Sequence, residues 1–187
     1  MSMMHVTTPV LAVFASDKGP GDPERSSLMS QAGTYLAKRG ARIVCLAENG
    51  VVPVPLITAA RAAGGDVLII ADATVTLPPA LAGMSMEVVA DRAERMARIG
   101  QLADAYVALP GSLASVSGLF AAWAAAKALG KQAPVVMLNR HRAYEAIRGY
   151  AADVLSPGLP GHERAVQFSD SIEDLWSRVS RLVNEGR

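Results

Sequence analysis

The sequence has little of what several large classes of protein require. Its single cysteine, Cys45, excludes an intrachain disulfide framework and a cysteine-cluster metal site. A formal net charge of +1 gives no electrostatic reason to expect a nucleic acid or an anionic membrane as partner. Gly, Pro or a charged residue interrupts every apolar run before it reaches membrane-spanning length. We therefore expect neither a nucleic-acid-binding protein nor a membrane protein.

Targeting and metal-binding signals are also lacking. The opening segment "MSMMHVTTPV" has no basic stretch followed by an apolar one, so it does not resemble a signal peptide. His5 and His162 have no companion ligands at metal-binding spacing. We expect a cytoplasmic protein with no metal and no cofactor.

What the sequence does contain is a regular alternation of short apolar runs with helical segments. Half of its residues are hydrophobic and only 5% are aromatic, which favours buried parallel strands under close-packed helices. Residues 72–89 hold two prolines and a glycine and are expected to be irregular. The predicted strands are Val10–Ala15, Ala41–Leu46, Val67–Ala71, Ala105–Leu109 and Pro134–Leu138, with a short extended piece at 165–168. The predicted helices are Pro23–Arg39, Pro55–Ala63, Asp91–Leu102, Ser115–Leu129, 142–151 and a last one after Ser171.

This order of elements predicts an α/β fold, a doubly wound parallel sheet with helices on both faces, formed by residues 1–187 as a single domain. In such sheets ligands bind outside the carboxyl ends of the strands, where the strand order reverses. The loops that follow the predicted strands are therefore the candidate site: 16–21, 47–53, 72–79, 110–114 and 139–142.

The most informative of these loops is "PGSLASVSG", residues 110–118. It passes from a strand into an Ala-rich helix through small residues, and three of its side chains are hydroxyls. A helix N-terminus with small residues is suited to a phosphate, because several N–H groups point at one place. The alternative is an ordinary strand–turn–helix connection with a serine N-cap, and the local pattern leaves both interpretations open.

Residues 92–139 around this loop resemble the LOG ("lonely guy") family of Rossmann-like proteins. The family includes cytokinin-riboside monophosphate phosphoribohydrolases, many labelled "possible lysine decarboxylase", and molybdenum-cofactor carriers belong to the same wider group. Matching segments extend through most of the chain, from "LAVFAS" to "FSDSIEDLW". The resemblance implies a Rossmann-like fold, a nucleotide site and a homodimer.

The functional motif of that family, Pro-Gly-Gly-x-Gly-Thr-x-x-Glu, is only partly present. Pro110 and Gly111 match it, whereas Gly118 stands where the family has its catalytic glutamate. A carboxylate there would stabilise the oxocarbenium-like state of glycosidic cleavage or activate water, and glycine does neither. The remaining matched positions are Ser112 and Ala114, in place of glycines, and Ser115, in place of threonine.

Other segments contribute candidates. Arg95 falls at the position of the family's catalytic arginine, although a solvated stripe of Arg92, Arg95 and Arg98 with ion pairs is the alternative. Of the family's earlier glycine-rich loop only Gly50 remains. Ser16 and Asp17, after the first strand, contact a ligand or form a plain turn.

Two features bear on acid chemistry and on assembly. Glu48, after the second strand, either supplies a carboxylate from elsewhere or is solvated or ion-paired. The helix at 119–129 is apolar nearly all round, so it is deeply buried or forms half of an interface, which is consistent with a homodimer.

Three functions follow as hypotheses. The first is a protein that binds a nucleoside 5′-monophosphate or a related small phosphorylated ligand, with hydrolysis weak or absent. The second is an active phosphoribohydrolase in which Arg95 is catalytic, and the third is a partner-binding protein without nucleotide. The absence of a glutamate at Gly118 favours the first. No lysine or loop arrangement points to a pyridoxal phosphate site, so a decarboxylase has little support.

Overall fold

The computed structural model describes residues 8–16, 23–150 and 165–186. Seven strands in these ranges form one sheet in the order β4-β3-β2-β1-β5-β6-β7, and every neighbouring pair is parallel. The strands are β1 Val10–Phe14, β2 Arg42–Ala47, β3 Val67–Ala71, β4 Ser85–Val88, β5 Ala105–Ala108, β6 Val135–Leu138 and β7 Val166–Ser169. The predicted doubly wound α/β sheet is confirmed.

Helices cover both faces of this sheet. The described helices are α1 Pro23–Lys38, α2 Val54–Ala62, α3 Arg92–Leu102, α4 Leu113–Ala128, α5 Glu145–Tyr150 and α6 Ile172–Glu185. Buried residues of α1, α2 and α6 belong to one apolar cluster, and those of α3 and α4 to another. The two clusters are the two layers of core that a parallel sheet needs.

Strand β1 shows how the sequence supplies both layers. Leu11 and Val13 belong to the cluster under α1, α2 and α6, whereas Ala12 and Phe14 belong to the one under α3 and α4. All four are at most 3% exposed. Because successive side chains of a strand point to opposite faces, a strand buried on both sides must be continuously apolar.

Three helices begin at a side-chain N-cap, which is an aspartate in one case and a serine in the other two. The side chains of Asp91, Ser112 and Ser171 each accept a hydrogen bond from the backbone N–H three residues later, at the beginning of α3, α4 and α6. Such caps satisfy one of the N–H groups that have no partner inside the helix. Helix α4 therefore begins at Leu113, two residues before the predicted start.

Two predicted segments differ in the structure. The stretch expected to be irregular contains the strand Ser85–Val88, which pairs with β3 at the edge of the sheet. It is only half-buried, so its sequence lacks the apolar pattern by which the central strands were predicted. The helix expected at 142–151 begins only at Glu145, because His141 and Arg142 have positive φ and the Asn139 side chain, which accepts a hydrogen bond from Tyr144 N at 2.7 Å, holds the preceding turn.

Helix α4 is neither fully buried nor fully exposed. Gly118, Leu119, Ala122 and Ala126 face the core. Leu113 at its start is 86% exposed. Its apolar sequence thus supplies a core face and leaves further apolar side chains on the outside.

Candidate functional site

The strand order reverses between β1 and β5, and the candidate site lies where these two strands end. The chain leaves β1 toward α1 on one face of the sheet, and it leaves β5 toward α4 on the other face. The backbone N–H of Leu109 donates to Phe14 O at 3.0 Å, so the two strands stay paired up to their last residues. Beyond this point a cavity lies against the end of β1 and the start of α4.

Gly111 allows the chain before α4 to approach the backbone of Ser16, just after β1, closely. A Cβ at this position would lie 2.8 Å from Ser115 Oγ and 3.2 Å from the backbone N of Ser16. Gly111 is not among the glycines with positive φ, so it is required by space rather than by backbone conformation. Gly111 therefore lets the start of α4 pack closely against the end of β1.

The N-terminus of α4 presents the features of an anion site. Ser112 is its N-cap, and Ser115 Oγ donates a hydrogen bond to Ser112 O at 2.7 Å. The first N–H groups of a helix have no partner within it, and the helix dipole adds positive potential there. Ser112, Ala114 and Ser115 all line the cavity in front of this end. Small side chains leave the approach to these N–H groups open.

The cavity is an open cleft with about 480 Å³ of free space, part of which is open solvent at its mouth. Its walls come from the end of β1, the end of β2 with the turn that follows, and the start of α4. Apolar and polar side chains both contribute, as is usual for small-molecule sites. The lining residues are Phe14, Ala15, Ser16, Leu46, Glu48, Asn49, Val51, Ser112, Ala114 and Ser115.

The wall after β2 is a tight two-residue turn from Glu48 to Val51. Asn49 and Gly50 have φ values of 54° and 74°, and Val51 N donates to Glu48 O at 3.0 Å. Positive φ at both central positions is typical of a type I′ turn, for which Asn-Gly is the preferred pair. Gly50 thus serves the turn and lies at its exposed tip, outside the cavity lining.

Asp72, which follows β3, holds this turn in place. Its carboxylate accepts hydrogen bonds from Asn49 N at 2.8 Å and from the hydroxyl of Thr74 at 2.5 Å. These hydrogen bonds, with a contribution from the positive charge of Arg95, hold the pKa of Asp72 below its ordinary value. The hydroxyl of Thr74 in turn accepts from Gly50 N at 2.9 Å.

Arg95 lies behind the cavity rather than in its lining. Its side chain is 4% exposed, and it donates to Glu48 Oε2 at 2.7 Å and to the carbonyls of Val89 and Ala90. Arg92 approaches the same carboxylate oxygen at 3.8 Å. The arginine therefore reaches the site through Glu48, whose side chain does line the cavity.

The arginine stripe of α3 takes the ion-pair alternative, with carboxylates outside the helix. Arg98 forms a two-pronged pair with Glu87 of β4, at 2.8 and 2.9 Å. Asp91 instead caps the helix. The stripe thus divides into a buried pair at the cavity and a half-exposed pair at the edge of the sheet.

At position 118, where the family motif has its glutamate, a side chain would have to displace the end of the Leu46 side chain. A Cβ on Gly118 would lie 2.9 Å from Leu46 Cδ2 and 3.4 Å from Phe14 Cε1. Both neighbours line the cavity, so its floor at this point is apolar. The carboxylate in the cavity wall is that of Glu48.

Some of the predicted site residues line one cavity and others do not. Ser16, Ser112, Ala114 and Ser115 line one cavity, and Pro110 and Gly111 form the turn that leads into it. Asp17 lies outside the described residues. The apolar walls were not singled out from the sequence; their only signal was a place at the end of a predicted strand or, for Val51, in the candidate loop 47–53. These residues are Phe14, Leu46 and Val51.

The sequence matches no protein-family model and no curated protein. Solved structures do match it. The protein TM1055, from a structural genomics consortium, superimposes with a TM-score of 0.65 at 21% identity, over 93% of this chain and 99% of that one. The molybdenum cofactor carrier protein of Chlamydomonas reinhardtii gives 0.67 at 15% identity, over 95% and 99%. The molybdenum cofactor binding protein of Rippkaea orientalis gives 0.64 at 18% identity, again over 95% and 99%.

The chain has a Rossmann-like fold. At these identities the likeness to its structural neighbours is one of fold. Within residues 8–16, 23–150 and 165–186, no helix is both long and apolar enough to cross a membrane. In the same ranges no three His, Cys, Asp or Glu side chains cluster as metal ligands would.

Proposed function

We propose that this protein binds a nucleoside 5′-monophosphate, or a closely related small phosphorylated ligand, in the cavity between β1, β2 and α4. One observation carries the proposal: Ser112, Ala114 and Ser115 bring the N-terminus of α4 to the wall of a cavity at the reversal point of the sheet. A phosphate placed there meets N–H donors, two serine side chains and the positive end of the helix dipole.

The rest of the cavity suits the rest of such a ligand. Phe14, Leu46 and Val51 offer apolar surface for a base, and the polar groups of Glu48 and Asn49 lie across the same space. Two of the structural neighbours are molybdenum cofactor carrier or binding proteins, so this fold serves ligand binding in chains of similar length.

Hydrolysis is proposed to be weak or absent. The position of the family's glutamate is Gly118, packed against Leu46 and Phe14. A second candidate function, a phosphoribohydrolase, is favoured by one observation: Glu48 places a carboxylate in the cavity wall. One oxygen of that carboxylate is already held by Arg95, which restricts its movement toward a sugar.

Binding is tested by isothermal titration calorimetry with AMP. We expect Ser115→Glu to weaken AMP binding about tenfold or more, since it adds bulk and negative charge where the phosphate would lie. Glutamate is well tolerated in the first turn of a helix, so the variant is expected to fold. Ser117→Glu adds the same group at an exposed position of the same helix, outside the cavity lining, and should bind AMP as the wild type does.

Absence of AMP binding by the wild type, and of binding by other nucleoside monophosphates, would leave the third hypothesis, a partner-binding protein. Catalysis is tested separately, by incubation with AMP and chromatography of free adenine. We expect almost no adenine. Sustained release that Glu48→Gln removes would establish the second candidate instead.

We also propose a homodimer formed through the outer face of α4. Leu113 is 86% exposed, and Phe120 and Trp123 are only partly covered. Apolar side chains left outside on a helix that also supplies core residues are typical of an interface. Light scattering at micromolar concentration should give twice the chain mass, and a monomeric mass would contradict the proposal.

A further inference from the structure

The Glu48 carboxylate is held at one of its two oxygens. Oε2 accepts the hydrogen bond from Arg95 and also lies near Arg92. Across residues 8–16, 23–150 and 165–186, no hydrogen bond or ion pair is formed by Oε1. The side chain is 14% exposed and lines the cavity. A carboxylate offers about four acceptor positions, so this one retains acceptor capacity at the cavity wall.

The position of this carboxylate is set before any ligand arrives. Its backbone belongs to the type I′ turn, which Asp72 holds through Asn49 N and Thr74 holds through Gly50 N. Its side chain is tied to a buried guanidinium that is itself held by two backbone carbonyls. A hydrogen bond to a group already fixed costs less conformational entropy than one to a mobile side chain.

The two ends of the cavity therefore have opposite chemistry. The start of α4 supplies N–H donors and positive potential, which suit an anion. Glu48 is an acceptor without a proton to donate, so it takes hydroxyl or amino groups and repels a second anion. A ligand that carries both an anionic group and a hydroxyl or amino group is therefore oriented, with the anion at the helix N-terminus and the donor at the carboxylate.

We propose that Glu48 is a specificity residue that accepts hydrogen bonds from neutral donor groups of the ligand, hydroxyl or amino, while its phosphate lies at the start of α4. This inference rests on the proposed function and deepens it, because it states what the ligand must carry besides phosphate. In a nucleoside monophosphate the donors are the sugar hydroxyls or an amino group of the base.

The experiment compares three ligands by calorimetry: AMP, its 2′,3′-dideoxy analogue and purine riboside 5′-monophosphate, which lacks the amino group. With the wild-type protein we expect removal of the donors that meet Glu48 to weaken binding about tenfold, because hydrogen bonds to a charged group are the strong ones. The dideoxy and deamino ligands tell which donor source is used. The ratio of the analogue's Kd to that of AMP should fall to about threefold or less in Glu48→Gln, since a neutral amide is the weaker acceptor.

Glu87→Gln is the matched control, because it removes a carboxylate paired with an arginine of the same helix but outside the cavity lining. It should keep the wild-type ratio. Each ratio is measured within one protein, so a change in stability does not mimic the effect. If Glu48→Gln fails to fold, Glu48→Asp keeps the charge, withdraws it by one methylene and should lower the ratio as well.

Two results would overturn the inference while leaving the proposed function standing. One is AMP binding by the wild type with both analogues within about threefold of it, which is too small for a charge-assisted hydrogen bond. The other is an analogue ratio that Glu48→Gln leaves unchanged. Failure of the wild type to bind AMP or either analogue would instead reject the proposed function, and this inference with it.

Discussion

Gly111→Ala tests whether the site is built by close packing of the loops after β1 and β5. The new Cβ would lie 2.8 Å from Ser115 Oγ and 3.2 Å from Ser16 N. Ordinary contacts of a Cβ begin near 3.4 Å, so the hydroxyl must move by several tenths of an ångström and the backbone by less. The easiest response is rotation of the Ser115 side chain, which breaks its hydrogen bond to Ser112 O.

The expected cost can be assembled from these contacts. Because rotation of Ser115 relieves the closest contact, the remaining overpacking costs about 1 kcal/mol, the lower end of the usual range, and the lost hydrogen bond costs about 1 kcal/mol more. The lower chain entropy of alanine in the unfolded state returns about 0.4–1 kcal/mol. We therefore expect Gly111→Ala to lower the free energy of unfolding by about 1.5 kcal/mol.

A double-mutant cycle with Ser115→Ala separates this contact from other effects. Ser115→Ala alone should cost about 1 kcal/mol, through loss of the hydroxyl's hydrogen bond. Without that hydroxyl the alanine at 111 meets only the Ser16 backbone, so its cost should fall to about 0.5 kcal/mol, a coupling of about 1 kcal/mol. Urea unfolding of the four proteins measures all three values. Costs that add within about 0.3 kcal/mol would refute the argument, because residues in contact do not behave independently.

Two further predictions concern packing and pH. Gly33→Ala should destabilise the protein by about 1–3 kcal/mol in urea unfolding, because its Cβ would lie 2.5 Å from Leu56 O on α2. Gly149→Ala is the control: among the described residues its Cβ meets no atom within 4 Å, so it should be neutral or slightly stabilising. Asp72→Asn should lower the free energy of unfolding at pH 7 by about 2 kcal/mol. Because the folded-state pKa of Asp72 lies below its ordinary value of 3.8, this difference should hold above pH 5 and shrink as the pH falls below about 4. A difference that stays constant down to pH 3 would contradict that origin.

The central strands were predictable because a strand that is buried on both faces has a continuous run of apolar residues. Val67–Ala71 is apolar throughout and matches its predicted bounds. The edge strand Ser85–Val88 has no such run, since its backbone pairs with β3 while its side chains stay half-exposed. Pairing at an edge is decided by the neighbouring strand rather than by local residues.

The candidate site was predictable to the level of its loops. The run from Pro110 to Ser115 predicted a strand–turn–helix connection made of small residues. In the structure Ser112, Ala114 and Ser115 line one cavity. Which partner Arg95 would take was not predictable. Glu48 is 47 positions away along the chain, and only the neighbouring positions of β1, β2 and β3 in the sheet bring the two together.

The sequence by itself determined the α/β class, the central strands and the small-residue entry into α4, because apolar periodicity and caps are local properties. Tertiary structure alone decided that Gly118 faces Phe14 and Leu46, and that a carboxylate from the loop after β2 stands in the cavity wall. Those contacts join residues far apart in the chain. Their energies depend on which strand ends become neighbours, and no short stretch of residues records that order.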